Sequence, residues 1–504
     1  MKILTRTLVV AIGQTATSME RIAVLFVLSR TLSKFDYGTY QQVWLVYLLV
    51  LPLFTLGLPG SILYFIPKTE QRHRKIVVFQ TIFLLEIVGV IFSIITFQTA
   101  PLFAQQFNNP ELIPLIRVFS IYPLFSLPPK LVNMLMIAEE KPLYSTIISA
   151  LYSMLLVIFI TSPSLFGFPL VYTYYGANLG AFLFSIGLIL FLLSTYRQQV
   201  FHWDFKLLKR QVVYSTQLGL ASVLGVISLQ LNKVVVSSSF SPETYAVYTN
   251  GAFEIPFIGL VTGSLMTVLI PEFTKRLGNT ETISSVWRLW NDATLKTALI
   301  LFPIACSLFA FAPEFMSTLF SPKYEASASI FSLYLLLVFL RITQYGSLLQ
   351  AMGKTKLILG TSIIGLSLNL LLSIVFIPLL GLTGPAWANI VTTYVWALAY
   401  LVIICKLAKV SFSMIMPWRQ LGKLFVISII AGIVSYFAHL FPLDYFPKLV
   451  IGLIIYCVTY LVLLMLTRTL DFSSMVKYYT LIGDQIRELI HPLMLLIRTV
   501  RRGQ

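Results

Sequence analysis

Apolar runs of roughly 20 residues recur along nearly the whole chain, and no other feature of the sequence restricts the fold so tightly. About 20 apolar residues is the helix length that crosses the hydrocarbon of a bilayer. There the backbone must satisfy its own hydrogen bonds, so only helices or closed barrels can span. Barrel strands would show as ~10-residue stretches of alternating polarity, and these are nowhere seen. Of the 504 residues, 58% are hydrophobic and 11% charged, against ~45–50% and ~25% in a soluble domain. The sequence therefore predicts an all-α integral membrane protein with about 14 transmembrane helices. Their approximate positions are 8–29, 39–66, 77–99, 112–137, 143–162, 169–194, 212–236, 246–271, 294–312, 326–351, 357–378, 383–405, 422–441 and 448–467. The start, MKILTRTLVVAIGQTA, looks like a signal peptide. Beyond polar Thr17, Ser18, Glu20 and Arg21, however, the apolar run resumes, which makes it a first membrane helix.

The net charge of +17 invites a nucleic-acid reading, but the distribution of the basic residues excludes it. With the N-terminus inside, 27 of the 36 basic residues fall in cytoplasmic segments, 4 in external ones and 5 within spans. This is the positive-inside pattern, and it predicts both termini in the cytoplasm; the expected location is the plasma (inner) membrane. Two cytoplasmic stretches read as interfacial: FHWDFKLLKR (201–210), and a basic amphipathic tail (469–504) whose pattern over 478–502 predicts an amphipathic helix interrupted at Pro492. Cys306, Cys405, Cys457 and the four histidines show neither a disulfide framework nor ligand spacing. GKT at 353–355 is not a P-loop, because Leu348 stands where the leading glycine belongs. No enzyme, cofactor or metal is expected, and any active transport must draw on a gradient, on membrane potential or on mass action.

An internal repeat organises the chain. APLF (100–103) and FSIY (119–122) return as APEF (312–315) and FSLY (331–334), both at an offset of 212. Lys141, Thr146 and Ile148 return as Lys356, Thr361 and Ile363 at an offset of 215. An even number of spans separates equivalent points, so both copies share one orientation. That predicts two six-helix bundles related by a pseudo-two-fold axis along the membrane normal, with substrate at the repeat interface. The expected divisions are 1–196, a linker at 197–211, a second bundle at 212–410, helices 13 and 14 at 411–468, and the tail.

Ionisable residues inside spans usually face a bundle interior or a wet cavity. The basic ones are Arg21, Arg117, Lys130, Lys233 and Arg341; the acidic ones are Glu20, Glu86 and Glu254. Residues 112–137 are the most unusual span, holding Arg117, Lys130, Pro123, Pro128 and Pro129. Arg117 and Lys233 lie near outer ends and can snorkel. Lys130 and Asn133 align with Arg341 and Gln344 at an offset of 211, a cation followed by an amide in each repeat. The functional reading is a cationic cavity for an anionic head group, with the acids as possible ion-coupling groups. The competing reading is internal salt bridging, but five cations against three acids leave at least two unpaired. The GxxxG pairs Gly176/Gly180 and Gly259/Gly263 read as helix packing.

LSRTLSKFDYGTYQQV (28–43), LGLPGSILYFIPK (56–68), SFSPETYAVYTNG (239–251), LIPEFTK (269–275), LFSPKYEASASI (319–330) and GLTGPAWANIV (381–391) resemble the Wzx-like oligosaccharide flippases. These belong to the multidrug/oligosaccharidyl-lipid/polysaccharide exporter superfamily. The resemblance covers roughly residues 1–410. It implies translocation of a polyprenyl-pyrophosphate-linked glycan to the outer leaflet by alternating access, for O-antigen, capsule or exopolysaccharide. Expected partners are that anionic lipid-linked glycan, membrane lipids, a polysaccharide polymerase and glycosyltransferases. Alternatives are a lipid II (peptidoglycan precursor) flippase, a cation-coupled multidrug antiporter of the MATE type, and a scaffold subunit.

Overall fold

A computed structural model describes residues 3–469 apart from 257, 260–261, 263–271 and 274–282, and among the described residues every regular element is helical. The amphipathic tail, most of the second half of span 246–271, part of the basic segment 275–296 and Gly263 lie outside the described residues. Nine described segments are long and apolar enough to cross a membrane, and one bent pair makes a tenth. The described chain falls into two compact units, the first running to Ala246 and the second beginning at Val247.

The first unit is built from α1 (Ile3–Thr31), α2 (Lys34–Thr55), α3 (Leu58–Lys68), α4 (Arg74–Gln106), α5 (Leu112–Phe119), α6 (Tyr122–Ala138), α7 (Pro142–Leu165), α8 (Val171–Thr195), α9 (Phe205–Ser239) and the start of α10 (Pro242–Gly251). Helices α4 and α9 run 33 and 35 residues, about 50 Å at 1.5 Å per residue. Each is longer than a ~30 Å hydrocarbon core. Helix α4 carries apolar residues on both its inner and outer faces: Val77, Leu85 and Phe92 are buried while Ile94, Ile95 and Phe97 are exposed, as expected of a helix touching lipid on one side. Ile62 and Ile66 of α3, Val77 of α4, and Leu127 and Leu131 of α6 form a shared core.

Span 112–137 is not one helix. It breaks between α5 and α6 with a bend of 44°. Pro123 lacks an N–H for the Phe119 carbonyl and crowds it, so the ladder stops at Ser120–Ile121. Pro128 and Pro129 lie inside α6 without ending it. Span two also breaks, where Leu56 (φ 40) and Gly57 (φ 75) enter the left-handed region between α2 and α3.

Helix α9, expected to open the second bundle at 212, packs against α2 and α3. Gly219 permits this, because an added Cβ would lie 2.2 Å from the Leu56 carbonyl carbon. Tyr214 stacks on Tyr64 at 4.6 Å, and Gln211 donates to Thr81 at 2.9 Å. The linker before α9 is ordered by its own chemistry. Asp204 caps α9 by accepting from the Leu207 N–H, Trp203 rests edge-on against Phe83 of α4, and Gln199 accepts from the Lys75 N–H.

In the second unit, α11 (Ile283–Ala310), α12 (Ala312–Phe320), α13 (Ser327–Val338), α14 (Tyr345–Ala351), α15 (Thr355–Leu380) and α16 (Gly384–Ala408) are followed by α17 (Trp418–Ser435) and α18 (Tyr445–Leu466). Helices α15 and α16 form a close pair. Gly384 makes the return possible, since a Cβ there would meet the Phe376 carbonyl oxygen at 2.5 Å. The two last helices pack on this unit, α17 against α11 and α18 against α12. Gly452 of α18 leaves room for the Phe311 ring, which an added Cβ would approach to 2.1 Å. The expected span 326–351 is interrupted over residues 339–344, between α13 and α14.

Candidate substrate cavity

A cavity of about 240 Å³ opens inside the first unit. Helix α1 contributes Thr17, Glu20, Arg21 and Val24, a 3–4 residue spacing that puts all four on one face. Helix α2 contributes Tyr40, Gln41, Trp44 and Leu48 on a second such face, and α9 and α10 add Gln230, Lys233 and Tyr245. Two cations thus share the wall with one carboxylate, among neutral polar, aromatic and aliphatic side chains. No described carboxylate is in ion-pair contact with Arg21.

Buried polar contacts hold these helices in register. Gln42 donates to Ser237 of α9 at 2.9 Å and accepts from Asn109 at 2.7 Å, while Asn109 also donates to Thr39 at 2.9 Å. These neighbours satisfy amides that would otherwise be costly to bury. The start of α2 is fixed by Ser33, whose hydroxyl accepts from the Asp36 N–H at 3.0 Å, a serine N-cap. Gly38 lets α10 approach, because a Cβ there would lie 1.9 Å from the Pro242 carbonyl oxygen. The DYGTY and SPETY segments, far apart in sequence, meet at that point.

An aromatic layer backs the cavity. The Trp44 ring contacts Phe119 edge-on at 4.9 Å and Tyr47 and Tyr122 at 5.5 Å. Behind it, Lys130 Nζ donates to Tyr47 Oη at 3.2 Å, and Tyr47 Oη pairs with Ser126 Oγ at 3.0 Å. Lys130 is also within electrostatic reach of Glu20. The structure therefore brings Arg21, Lys233 and Glu20 together on the cavity wall, with Lys130 one layer behind.

The other expected site residues lie elsewhere. Arg117 is on an exposed face of α5, its guanidinium 5.0 Å from the centre of the Phe97 ring. Asn133 donates to Ser149 at 2.8 Å and accepts from Ser145, tying α6 to α7. Glu86 is half-buried along α4. In the second unit, Arg341 lies in the break between α13 and α14 and pairs with Glu254 at 2.7 Å. Internal salt bridging, the competing reading of the sequence, thus applies to Arg341. Gln344 is exposed at the start of α14. Lys130, by contrast, sits inside unbroken α6, so the two aligned cations occupy different local settings. Sequence reasoning passed over Trp44, Tyr40, Gln41 and Gln230; consecutive Gln41–Gln42 in an apolar span was the available signal. Gly176 and Gly180 do pack α8 onto α7, where a Cβ at Gly176 would lie 1.9 Å from the Phe159 carbonyl oxygen.

A polytopic helical membrane protein with paired intramembrane cations in one cavity has the architecture of a small-molecule or lipid transporter. Residues 27–329 match the family described as "Polysaccharide biosynthesis protein", and the chain belongs to that family. No curated protein matches. Among solved structures, the lipid II flippase MurJ in its inward closed conformation superposes with a TM-score of 0.66 at 16% identity, over 91% of this chain and 99% of that one. The MATE multidrug transporter DinF-BH in complex with R6G gives 0.58 at 14% identity, over 81% and 96%. A MOP superfamily transporter from Pyrococcus furiosus gives 0.54 at 16%, over 81% and 95%. These likenesses are of fold.

Proposed function

We propose that the chain is a flippase that moves a polyprenyl-pyrophosphate-linked oligosaccharide from the cytoplasmic to the outer leaflet by alternating access, for cell-surface polysaccharide synthesis. The observation that carries this reading is the meeting of Arg21 and Lys233 in one cavity. A basic side chain at the centre of a membrane helix costs about 2.5–3.5 kcal/mol. That cost falls on Arg21 and less on Lys233, which is nearer the outer end of its span, and two cations beside one carboxylate favour a ligand with more than one negative charge. Arginine supplies bidentate contacts to phosphate oxygens and lysine a point charge. At about 240 Å³ the cavity is smaller than the ~300–1,000 Å³ that encloses a drug-sized ligand. It therefore suits the pyrophosphate end of the substrate, with the lipid and the distal sugars outside. The positive-inside bias supports N- and C-termini in the cytoplasm.

A lipid II flippase is the second reading, supported by the fold likeness to MurJ and sharing the pyrophosphate. A cation-moving antiporter accords less well with a cavity in which bases outnumber acids. The test is transbilayer movement of a fluorescent short-chain polyprenyl-pyrophosphoryl glycan in proteoliposomes. Wild-type protein should move it, and Arg21→Gln or Lys233→Gln should reduce the rate at least tenfold. Equal rates in all three would refute the reading, and rescue of lipid II transport but not of O-antigen transport would select the second one.

A further inference from the structure

His439 lies in the short 3₁₀ helix Tyr436–Leu440 that leads from α17 towards α18. Its ring stacks on the Phe311 ring at 4.9 Å and on the Tyr436 ring at 4.2 Å. Its Nδ1 is 3.1 Å from the Tyr436 carbonyl oxygen. Its Nε2 is 3.1 Å from Oε1 of Glu314, which stands in the first turn of α12. Both groups are sheltered, the Glu314 side chain being 6% exposed and that of His439 22%. Among the described residues no other cation is in ion-pair contact with Glu314.

The hydrogen bonds of this imidazole do not balance without an added proton. A neutral imidazole has one donor and one acceptor, whereas a carbonyl oxygen and an ionised carboxylate both only accept. Either neutral tautomer therefore leaves two acceptors face to face, at Tyr436 or at Glu314. One further proton, on the ring or on Oε1, turns both contacts into hydrogen bonds. With the ring protonated, the bond to Glu314 is charge-assisted, the stronger kind.

The pair sits where α12, the 3₁₀ turn and α18 meet, at the end of the spans that the basic-residue bias assigns to the outside. Phe311, on which His439 stacks, also fills the notch at Gly452 of α18. The other titratable groups at this junction are Tyr445, at the start of α18, and Glu325. Tyr445 donates to Glu325 at 2.9 Å and is within electrostatic reach of Glu314. We propose that His439 and Glu314 form a proton-binding site on the outer side of the second unit, which fastens the turn between α17 and α18 to α12 when protonated and releases it as the outer medium turns alkaline. The site is independent of what the cavity in the first unit binds.

The test is amide hydrogen exchange of the full-length protein in nanodiscs, measured from roughly pH 6 to 9 and corrected for the intrinsic pH dependence of exchange. In the wild type, protection of residues 436–444 should fall about ten- to a hundredfold as the pH rises, the worth of one charge-assisted hydrogen bond. Protection of residues 456–464, in the middle of α18, should stay level. In His439→Gln and Glu314→Gln a side-chain amide supplies the donor without an added proton, so the step should disappear. Tyr445→Phe leaves the pair intact and should keep the step. Level protection of 436–444 in the wild type overturns the proposal, as does a step that survives in both glutamine variants. Loss of the step in Tyr445→Phe also overturns it, assigning the pH response to the Tyr445–Glu325 contact. Should one glutamine variant fail to fold, the other and the wild-type profile still decide.

Discussion

The Arg341 guanidinium, in the break between α13 and α14, meets the Glu254 carboxylate just after α10 at 2.7 Å, with side chains 40% and 58% exposed. A pair this accessible contributes at most about 1 kcal/mol, so its worth lies in positioning the broken span. Arg341→Gln and Glu254→Gln should each lower glycan export, and the double variant should be no worse than either. The charge swap Arg341→Glu with Glu254→Arg should recover a substantial part. Export measured at matched protein level checks this; additive losses would mean that Arg341 acts apart from Glu254.

Glycine positions give a sharper test of the packing. Gly38→Ala and Gly176→Ala each drive a Cβ to within 1.9 Å of a backbone oxygen, of Pro242 and of Phe159 respectively, whereas Gly187 of α8 has open space around it. The first two should lower the thermal midpoint by many degrees or abolish recovery from the membrane. Gly187→Ala should be neutral, or stabilising by up to about 1 kcal/mol through helix propensity. Thermal unfolding of the three purified variants would expose any misplacement of α2, α7, α8 or α10.

Glu139 ties the ends of four helices together. Its carboxylate is 4% exposed and takes Lys141 at 2.8 Å and Arg74 at 3.7 Å, and it accepts from Tyr196 Oη at 2.6 Å. Burial, with Glu139 next to it, pushes the Tyr196 phenol up, so it remains a donor at neutral pH. Glu139→Ala leaves the Tyr196 hydroxyl and the partly exposed Arg74 and Lys141 without their shared acceptor and should cost the most of the three, about 3 kcal/mol. Tyr196→Phe should cost about 1.5–3 kcal/mol, and Lys141→Met less than either, because Lys141 is half exposed. Thermal midpoints in that order support the cluster as a clamp; a tolerated Glu139→Ala contradicts it.

Hydropathy exposed most of the fold because a bilayer demands long apolar helices, and the GxxxG at Gly176/Gly180 exposed one contact because small residues permit close backbones. Arg21, Lys233 and Glu20 stood out as candidates because charge is rare in a span. Their meeting in one cavity, however, depends on α9 packing against α2, which Gln42, Ser237 and Gly219 decide and hydropathy does not register. The repeat pointed to Lys130 and Arg341 as equivalents; it could not reveal that one sits in intact helix beside Tyr47 and the other in a break beside Glu254. Trp44 and Gln230 were passed over because a tryptophan or a glutamine in an apolar run carries no charge, and only their place on the cavity wall in three dimensions sets them apart.

The central claim is that Arg21 and Lys233 jointly hold the pyrophosphate. The most direct measurement is the affinity of purified wild-type, Arg21→Gln, Lys233→Gln and doubly substituted protein for a short-chain polyprenyl pyrophosphate. Charge-assisted hydrogen bonds contribute about 1.5–3 kcal/mol each, so each single variant should lose roughly ten- to a hundredfold, and the double variant should bind no better than the weaker single. A double variant that binds as tightly as the wild type would contradict the account.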